Sequence, residues 1–317
     1  MTPRALEHYP VTFFAVVMGM CGLVLALHAG EAAYGIGSWA SGMVLAVTAL
    51  CFGAVSLGYG AKAIRHPGAV RAEWGHPVRL AFFPAISISL LLLGTAALGR
   101  SPVIAEALWL IGMVAQGVLT IAVVSGWIGP RGFQPGHLSP AWFIPAVGNV
   151  IVPIAGVPLG YVETSWYFMA VGLIFWIVLL TLVMQRLIFH EPLPGRLQPV
   201  LAILIAPPAV AVVAWFRLTG EIDAVARLLM NGACLFALIV AVQMPRILRQ
   251  PFALSFWALS FPVAALSIAA FVYAEATGSA AHLFLGSGGL GLLMVIVAVL
   301  SVRTVRAMMA GEICRPE

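Results

Sequence analysis

The sequence is built from long, unbroken runs of apolar residues, and these leave few folds open. Ten runs follow one another, at approximately 10–29, 36–64, 77–98, 102–128, 140–158, 166–189, 198–216, 223–247, 252–275 and 280–309. Each reaches or approaches the roughly 20 residues an α-helix needs to cross the hydrocarbon of a bilayer. The runs are continuously apolar, not alternating, which excludes a transmembrane β-barrel. The connections are short, so residues 1–317 are expected to form a single all-α transmembrane domain. Only 9% of residues are charged and 62% are hydrophobic, whereas a soluble domain carries roughly 25% charged residues. Such a surface is solvated by lipid, and the lipid bilayer is the expected partner. The first run, from Val11 to Ala29, is longer than the roughly 7–15 apolar residues of a cleaved leader, so it reads as a retained membrane span.

Charge placement orients the chain. If all ten runs span, the 16 basic residues divide 13 to 3, with only Arg100, Arg217 and Arg227 on the minor side. The positive-inside rule then places both termini in the cytoplasm. The net charge of +5 sits at helix ends, without the cluster of basic and aromatic residues that would suggest nucleic acid. The four cysteines, Cys21, Cys51, Cys234 and Cys314, form no CxxC pair, so neither a disulfide framework nor a metal site is expected.

Proline follows a pattern of its own. It recurs in the odd-numbered spans: Pro84 in the third, Pro145, Pro153 and Pro158 in the fifth, Pro207 and Pro208 in the seventh, and Pro262 in the ninth. Pro84, Pro145, Pro207 and Pro262 lie 61, 62 and 55 residues apart, about one helical hairpin each. This reads as five repeated hairpins, each pairing a kinked helix with a straight one. A proline removes a backbone donor, and in lipid the freed carbonyl must find another partner. Kinked helices therefore belong inside and straight ones against lipid. The expectation is an inner ring of five kinked helices around a central pore, with Pro84, Pro145, Pro207, Pro208 and Pro262 as the kinks.

Ionisable groups are nearly absent from the span interiors, where a charge costs at least roughly 2.5–3.5 kcal/mol. The odd spans offer only weak polar groups such as Thr12, Ser87, Ser89, Thr95, Asn149, Ser255, Ser260 and Ser267. That argues against an ion pump or proton relay and fits a passive conduit. Asn149 either serves backbone freed near Pro145 or faces the pathway. Asn231 and Gln243 read as interhelical hydrogen-bonding residues, and Asp223 as an N-cap. No Ser/His/Asp set, phosphate loop or HExxH motif is present, so neither an enzyme nor a cofactor is expected.

Several stretches together resemble the tellurite-resistance/C4-dicarboxylate transporter family, which includes the slow-type anion channels of plant guard cells. They are Tyr9-Pro-Val-Thr-Phe-Phe, the segment from Arg71 to Ser89, Trp142-Phe-Ile-Pro-Ala-Val-Gly, Ala206-Pro-Pro-Ala-Val and Phe256-Trp-Ala-Leu-Ser-Phe-Pro. The resemblance implies ten helices in quasi-fivefold arrangement, a homotrimer with one pore per protomer in a bacterial inner membrane, and passage of small inorganic anions such as chloride and nitrate. It further implies a phenylalanine plug on the ninth helix, at Phe261. Thr12, Phe13 and Asn149 are the candidate pore-lining residues beside it. Thr12 and Pro262 stand where other members carry glycine. A carrier of dicarboxylate, sulfite or tellurite is the alternative; it needs a polar midplane site, which the odd spans scarcely supply.

Overall fold

The computed structural model describes residues 6–130 and 132–314; Arg4, Arg131 and Arg315, counted in the charge asymmetry, lie outside the described residues. Ten apolar segments follow in order: α1 (Val11–Ala33), α2 (Trp39–Arg65), α3 (Arg79–Ala97), α4 (Pro102–Ile128), α5 (Pro140–Gly156), α6 (Val162–Phe189), α7 (Gly195–Thr219), α8 (Ala224–Leu248), α9 (Leu254–Thr277) and α10 (Ala280–Met309). A short helix, Pro67–Gly75, lies between α2 and α3. There is no strand among the described residues. Nine of the ten segments are long and apolar enough to cross a membrane.

The remaining segment, α5, is shorter and is not a continuous helix. It alternates 3₁₀ turns at Pro140–Trp142 and Gly148–Ile151 with single α-turns at Phe143–Val147 and Val152–Gly156. Its prolines explain the fragmentation, since each removes a donor from the ladder. A 3₁₀ turn rises about 2.0 Å per residue against about 1.5 Å for an α-helix, so the mixture extends to about 29 Å, close to a hydrocarbon core of about 30 Å.

Burial sorts the segments by parity. In α1, α3, α7 and α9, between 61% and 83% of the most apolar stretch is buried, against 17–28% in the even-numbered segments. Every residue from 138 to 153 is buried. The odd segments thus form the interior, and each packs on the even segment that follows it. The α7 and α9 helices end at Gly220 and Gly278, with φ of +77° and +68°. This left-handed conformation favours glycine and lets the chain turn directly into α8 and α10. Asp223 then caps α8, its carboxylate accepting from the Ala226 amide at 2.9 Å and from the Trp215 indole at 3.0 Å. These hydrogen bonds, the backbone one foremost, hold its pKa below the usual carboxylate value. Asn231 does not bridge helices as expected. It is exposed and donates to the Arg227 carbonyl of its own helix at 2.8 Å, the nearest acceptor for a side chain facing outward.

The prolines of the odd segments sit where helix type changes. In α3 the 3₁₀ turn Arg79–Phe82 gives way to an α-helix beginning at Ala85, with Pro84 as its N-cap. In α7 an eleven-residue 3₁₀ stretch, Gly195–Ile205, gives way at Ala206, and Pro207 and Pro208 occupy the first α-helical turn. In α9 the 3₁₀ stretch Leu254–Leu259 precedes an α-helix from Ser260, with Pro262 its third residue. Helix α1 switches after Phe13 without a proline at the junction. A first α-turn has no use for its N–H groups, so proline costs least there. The carbonyls that proline would orphan bond to a nearer donor: Leu80 O accepts from Phe83 N, and Ile203 O from Ala206 N.

One end of the bundle is fastened by a buried ion pair. Lys62 Nζ lies 2.8 Å from Glu73 Oε2, with the two side chains 2% and 3% exposed. Glu73 also accepts from Tyr59 Oη at 3.0 Å and from the Val11 amide at 3.2 Å, and Lys62 donates to the Tyr9 carbonyl at 2.9 Å. The carboxylate of the short helix therefore caps the first turn of α1. Glu73→Ala leaves Lys62 buried and unpaired, at a cost of about 3–5 kcal/mol. A thermal unfolding scan in detergent is expected to show a large fall in melting temperature for this variant, and none for Glu312→Ala at an exposed position.

Candidate functional site

The interior of the ring of odd segments contains an open-mouthed cavity, about 660 Å³ including its mouth. All five odd segments contribute walls: Ala15 and Met18 from α1, Phe82 and Ile88 from α3, Phe143 to Ile151 in part from α5, Ile203 to Val210 in part from α7, and Trp257, Ala258, Phe261 and Pro262 from α9. In α3, α7 and α9 these residues straddle the 3₁₀-to-α junction. No Asp, Glu, Lys, Arg or His is among them.

Most serine and threonine hydroxyls of the odd segments are engaged in hydrogen bonds away from the cavity. Ser89 and Thr95 return to carbonyls of their own helix at 2.7 and 2.8 Å. Ser260 donates to Trp257 O at 2.6 Å, and Ser267 to Gly286 O of α10 at 2.7 Å. Ser87 donates to Gln116 Oε1 of α4 at 2.7 Å. The Gln116 amide in turn donates to Pro145 O at 3.1 Å, and Thr120 Oγ1 donates to the same carbonyl at 2.7 Å. Outer helix α4 thus serves the broken backbone of α5, and the cavity is left with an apolar lining.

The candidate residues fall into two groups. Phe261, Pro207 and Pro262 line the cavity. Phe261 is half-buried, its ring edge beside Gly22 of α1. Pro84, Pro145 and Pro208 lie in the same segments but not in its lining. Asn149 is 1% exposed and turned toward α4, its amide donating to Thr120 Oγ1 at 3.0 Å and to Ala146 O at 2.6 Å. Phe13 is buried and stacked on Tyr9 with ring centroids 4.6 Å apart, and Thr12 is half-buried; neither is in the lining. On α1 that place belongs to Ala15 and Met18. Nothing in the sequence separates these two, or Ile88, Val147 and Val210, from other apolar residues in equally apolar runs.

This is the architecture of a multi-pass membrane protein with an apolar internal cavity, and sequence comparison places it. The chain belongs to the SLAC1 family, described as voltage-dependent anion channels, whose family model matches residues 8–305. Among its relatives are two from Arabidopsis thaliana. The S-type anion channel SLAH2 is 30% identical over 82% of this chain and 51% of its own length. The guard cell S-type anion channel SLAC1 is 28% identical over 70% and 41% respectively. The tellurite resistance protein TehA homolog of Haemophilus influenzae is 27% identical over 81% of this chain and 79% of its own. The chain thus spans about half the length of the plant relatives it matches.

Removing the Thr120 hydroxyl tests the division of labour at α5. Thr120→Val takes a donor from Pro145 O and a partner from Asn149, and is expected to destabilise the fold by about 1–3 kcal/mol. The cavity lining is expected to be unaffected, because neither side chain contributes to it. Thermal unfolding in detergent reads the loss.

Proposed function

We propose that the protein is a channel for small monovalent anions, chloride and nitrate among them, which pass through the apolar cavity of each protomer and are occluded there by Phe261. The observation that carries this reading is the cavity itself: all five buried segments wall it, Phe261 stands in that wall, and no fixed charge or polar side chain offers a resting site. Membership of an anion-channel family and relatives named as anion channels support it. The apolar wall makes dehydration the main barrier. Weakly hydrated nitrate should therefore pass more readily than chloride, and doubly charged sulfate hardly at all. An aromatic ring in a narrow apolar passage blocks by steric closure and by excluding water. A carrier of dicarboxylate, sulfite or tellurite is disfavoured, since it would need a discrete polar midplane site.

The same reading places the protein in a bacterial inner membrane as a homotrimer with one pore per protomer and both termini cytoplasmic. The basic asymmetry supports that orientation.

Reversal potentials measured with chloride, nitrate and sulfate gradients test the proposal. Phe261→Ala is expected to raise chloride and nitrate current at least tenfold with the order nitrate, chloride, sulfate preserved. Unchanged current in this variant would remove Phe261 as the gate. A saturable turnover well below single-channel rates would favour the carrier.

A further inference from the structure

The described residues include two basic side chains that are almost wholly buried, and the fold treats them differently. Lys62, 2% exposed, meets the Glu73 carboxylate at 2.8 Å. Arg186, in the last turn of α6, is 3% exposed and has no carboxylate within ion-pair reach among the described residues. Its Nη1 donates to the Glu191 carbonyl at 2.6 Å, while the Glu191 side chain is exposed. Its Nε is buried and has no hydrogen-bond partner among the described residues. A guanidinium carries five N–H donors and stays charged, so it cannot escape burial by losing a proton. The C-terminus of α6 supplies some negative partial charge, but one carbonyl leaves the Nε edge unserved.

The position of Arg186 can be fixed against α5. The buried face of α6 carries Gly172, Leu179, Val183 and Arg186 in helical register. A methyl group on Gly172 would lie 2.5 Å from Val150 Cγ1 and 3.0 Å from Val150 N, so this face rests directly on α5. From Gly172 to Arg186 is about 21 Å along the helix. Back along α5, from Val147 and Val150 to Ser139, is about 12–22 Å through its mixture of α and 3₁₀ turns. Ser139 therefore stands at the level of the last turns of α6. It is 2% exposed, and its hydroxyl is also buried without a partner. The turn that follows, Pro140–Trp142, packs on the 3₁₀ stretch Gly195–Ile205 of α7. There Gln198 Oε1 is buried and unpartnered, as is the indole N–H of Trp142. These unserved groups all lie at the end of the bundle where α6 finishes and α5 and α7 begin.

We infer that Arg186 anchors an anion-binding site at this end of the bundle, taking a small inorganic anion or the phosphate of a lipid headgroup, with Ser139 as a second donor. An anion there balances the guanidinium and accepts from Nε, whereas a water molecule would serve Nε and leave the charge unbalanced. The inference concerns binding outside the apolar cavity and does not rest on the channel reading, which stands or falls separately.

Binding is read from the melting temperature in a neutral detergent, with the protein exchanged into gluconate at constant ionic strength. Sodium bromide is expected to raise the wild-type melting temperature saturably. Arg186→Gln is expected to abolish that rise. Arg186→Lys keeps the charge without the planar fork and is expected to retain the rise with a midpoint higher by about threefold or more. A rise produced by phosphatidylglycerol and not by bromide, again lost in Arg186→Gln, assigns the site to a lipid phosphate. Equal rises in the wild type and Arg186→Gln overturn the inference, as does no rise with either additive. Crystals of the wild-type protein grown in bromide decide the matter if Arg186→Gln fails to fold. An anomalous peak or a lipid phosphate within hydrogen-bond reach of Arg186 Nε is expected, and water alone at that position overturns the inference.

Discussion

Every backbone N–H and C=O within a bilayer must find a partner inside the protein, and the arrangement of these helices follows from that requirement. The odd segments violate the simplest solution, a continuous α-helix, at Pro84, Pro145, Pro207, Pro208 and Pro262. They meet the requirement in two ways. Where the chain can tighten into a 3₁₀ turn before the proline, the carbonyl bonds to a nearer amide, as Leu80 and Ile203 do. An outer helix also supplies side-chain donors to this broken backbone, as Gln116 and Thr120 do to the Pro145 carbonyl. The outer helices are thus part of the hydrogen-bond accounting of the inner ones, beyond shielding them from lipid.

The same accounting shapes the cavity. Ser87, Ser89, Thr95, Asn149, Ser260 and Ser267 of the odd segments are occupied by carbonyls or by neighbouring helices, and the side chains around the cavity are apolar. An apolar passage offers an ion no resting place and no substitute for its water shell. Its preference for one sign of charge must come from dipoles and from charges at the mouths. A lining of this kind suits conduction better than binding, which links the distribution of prolines to the proposed channel activity.

Much of the architecture was legible in the residues. Length and continuity of the apolar runs mark the spans, since only a helix of that length can cross lipid with its backbone satisfied. Periodic proline marks the interior segments, since a broken ladder cannot face hydrocarbon. The form the prolines take was not legible. A proline forbids one hydrogen bond but does not say whether the chain bends or changes to a 3₁₀ turn; that depends on which donors lie within reach. Hence α5 is a series of short turns where one span was expected. Asn149 faces α4, where Thr120 waits on another segment, and sequence alone left its direction open.

What the sequence determined by itself is therefore the class of solvent, the parity of the segments and the scarcity of charge within them, because each follows from composition or spacing along one chain. What only the tertiary structure decided is which apolar side chains face the cavity. Phe261, Met18 and Val210 belong to different segments and meet only when the ring closes. Leu, Ile, Val, Met and Phe in a uniformly apolar run carry no mark of direction. Their facing is set by rotation of each helix about its axis, and that rotation by close contacts such as Gly19 with Ser260 and Gly22 with Ala264.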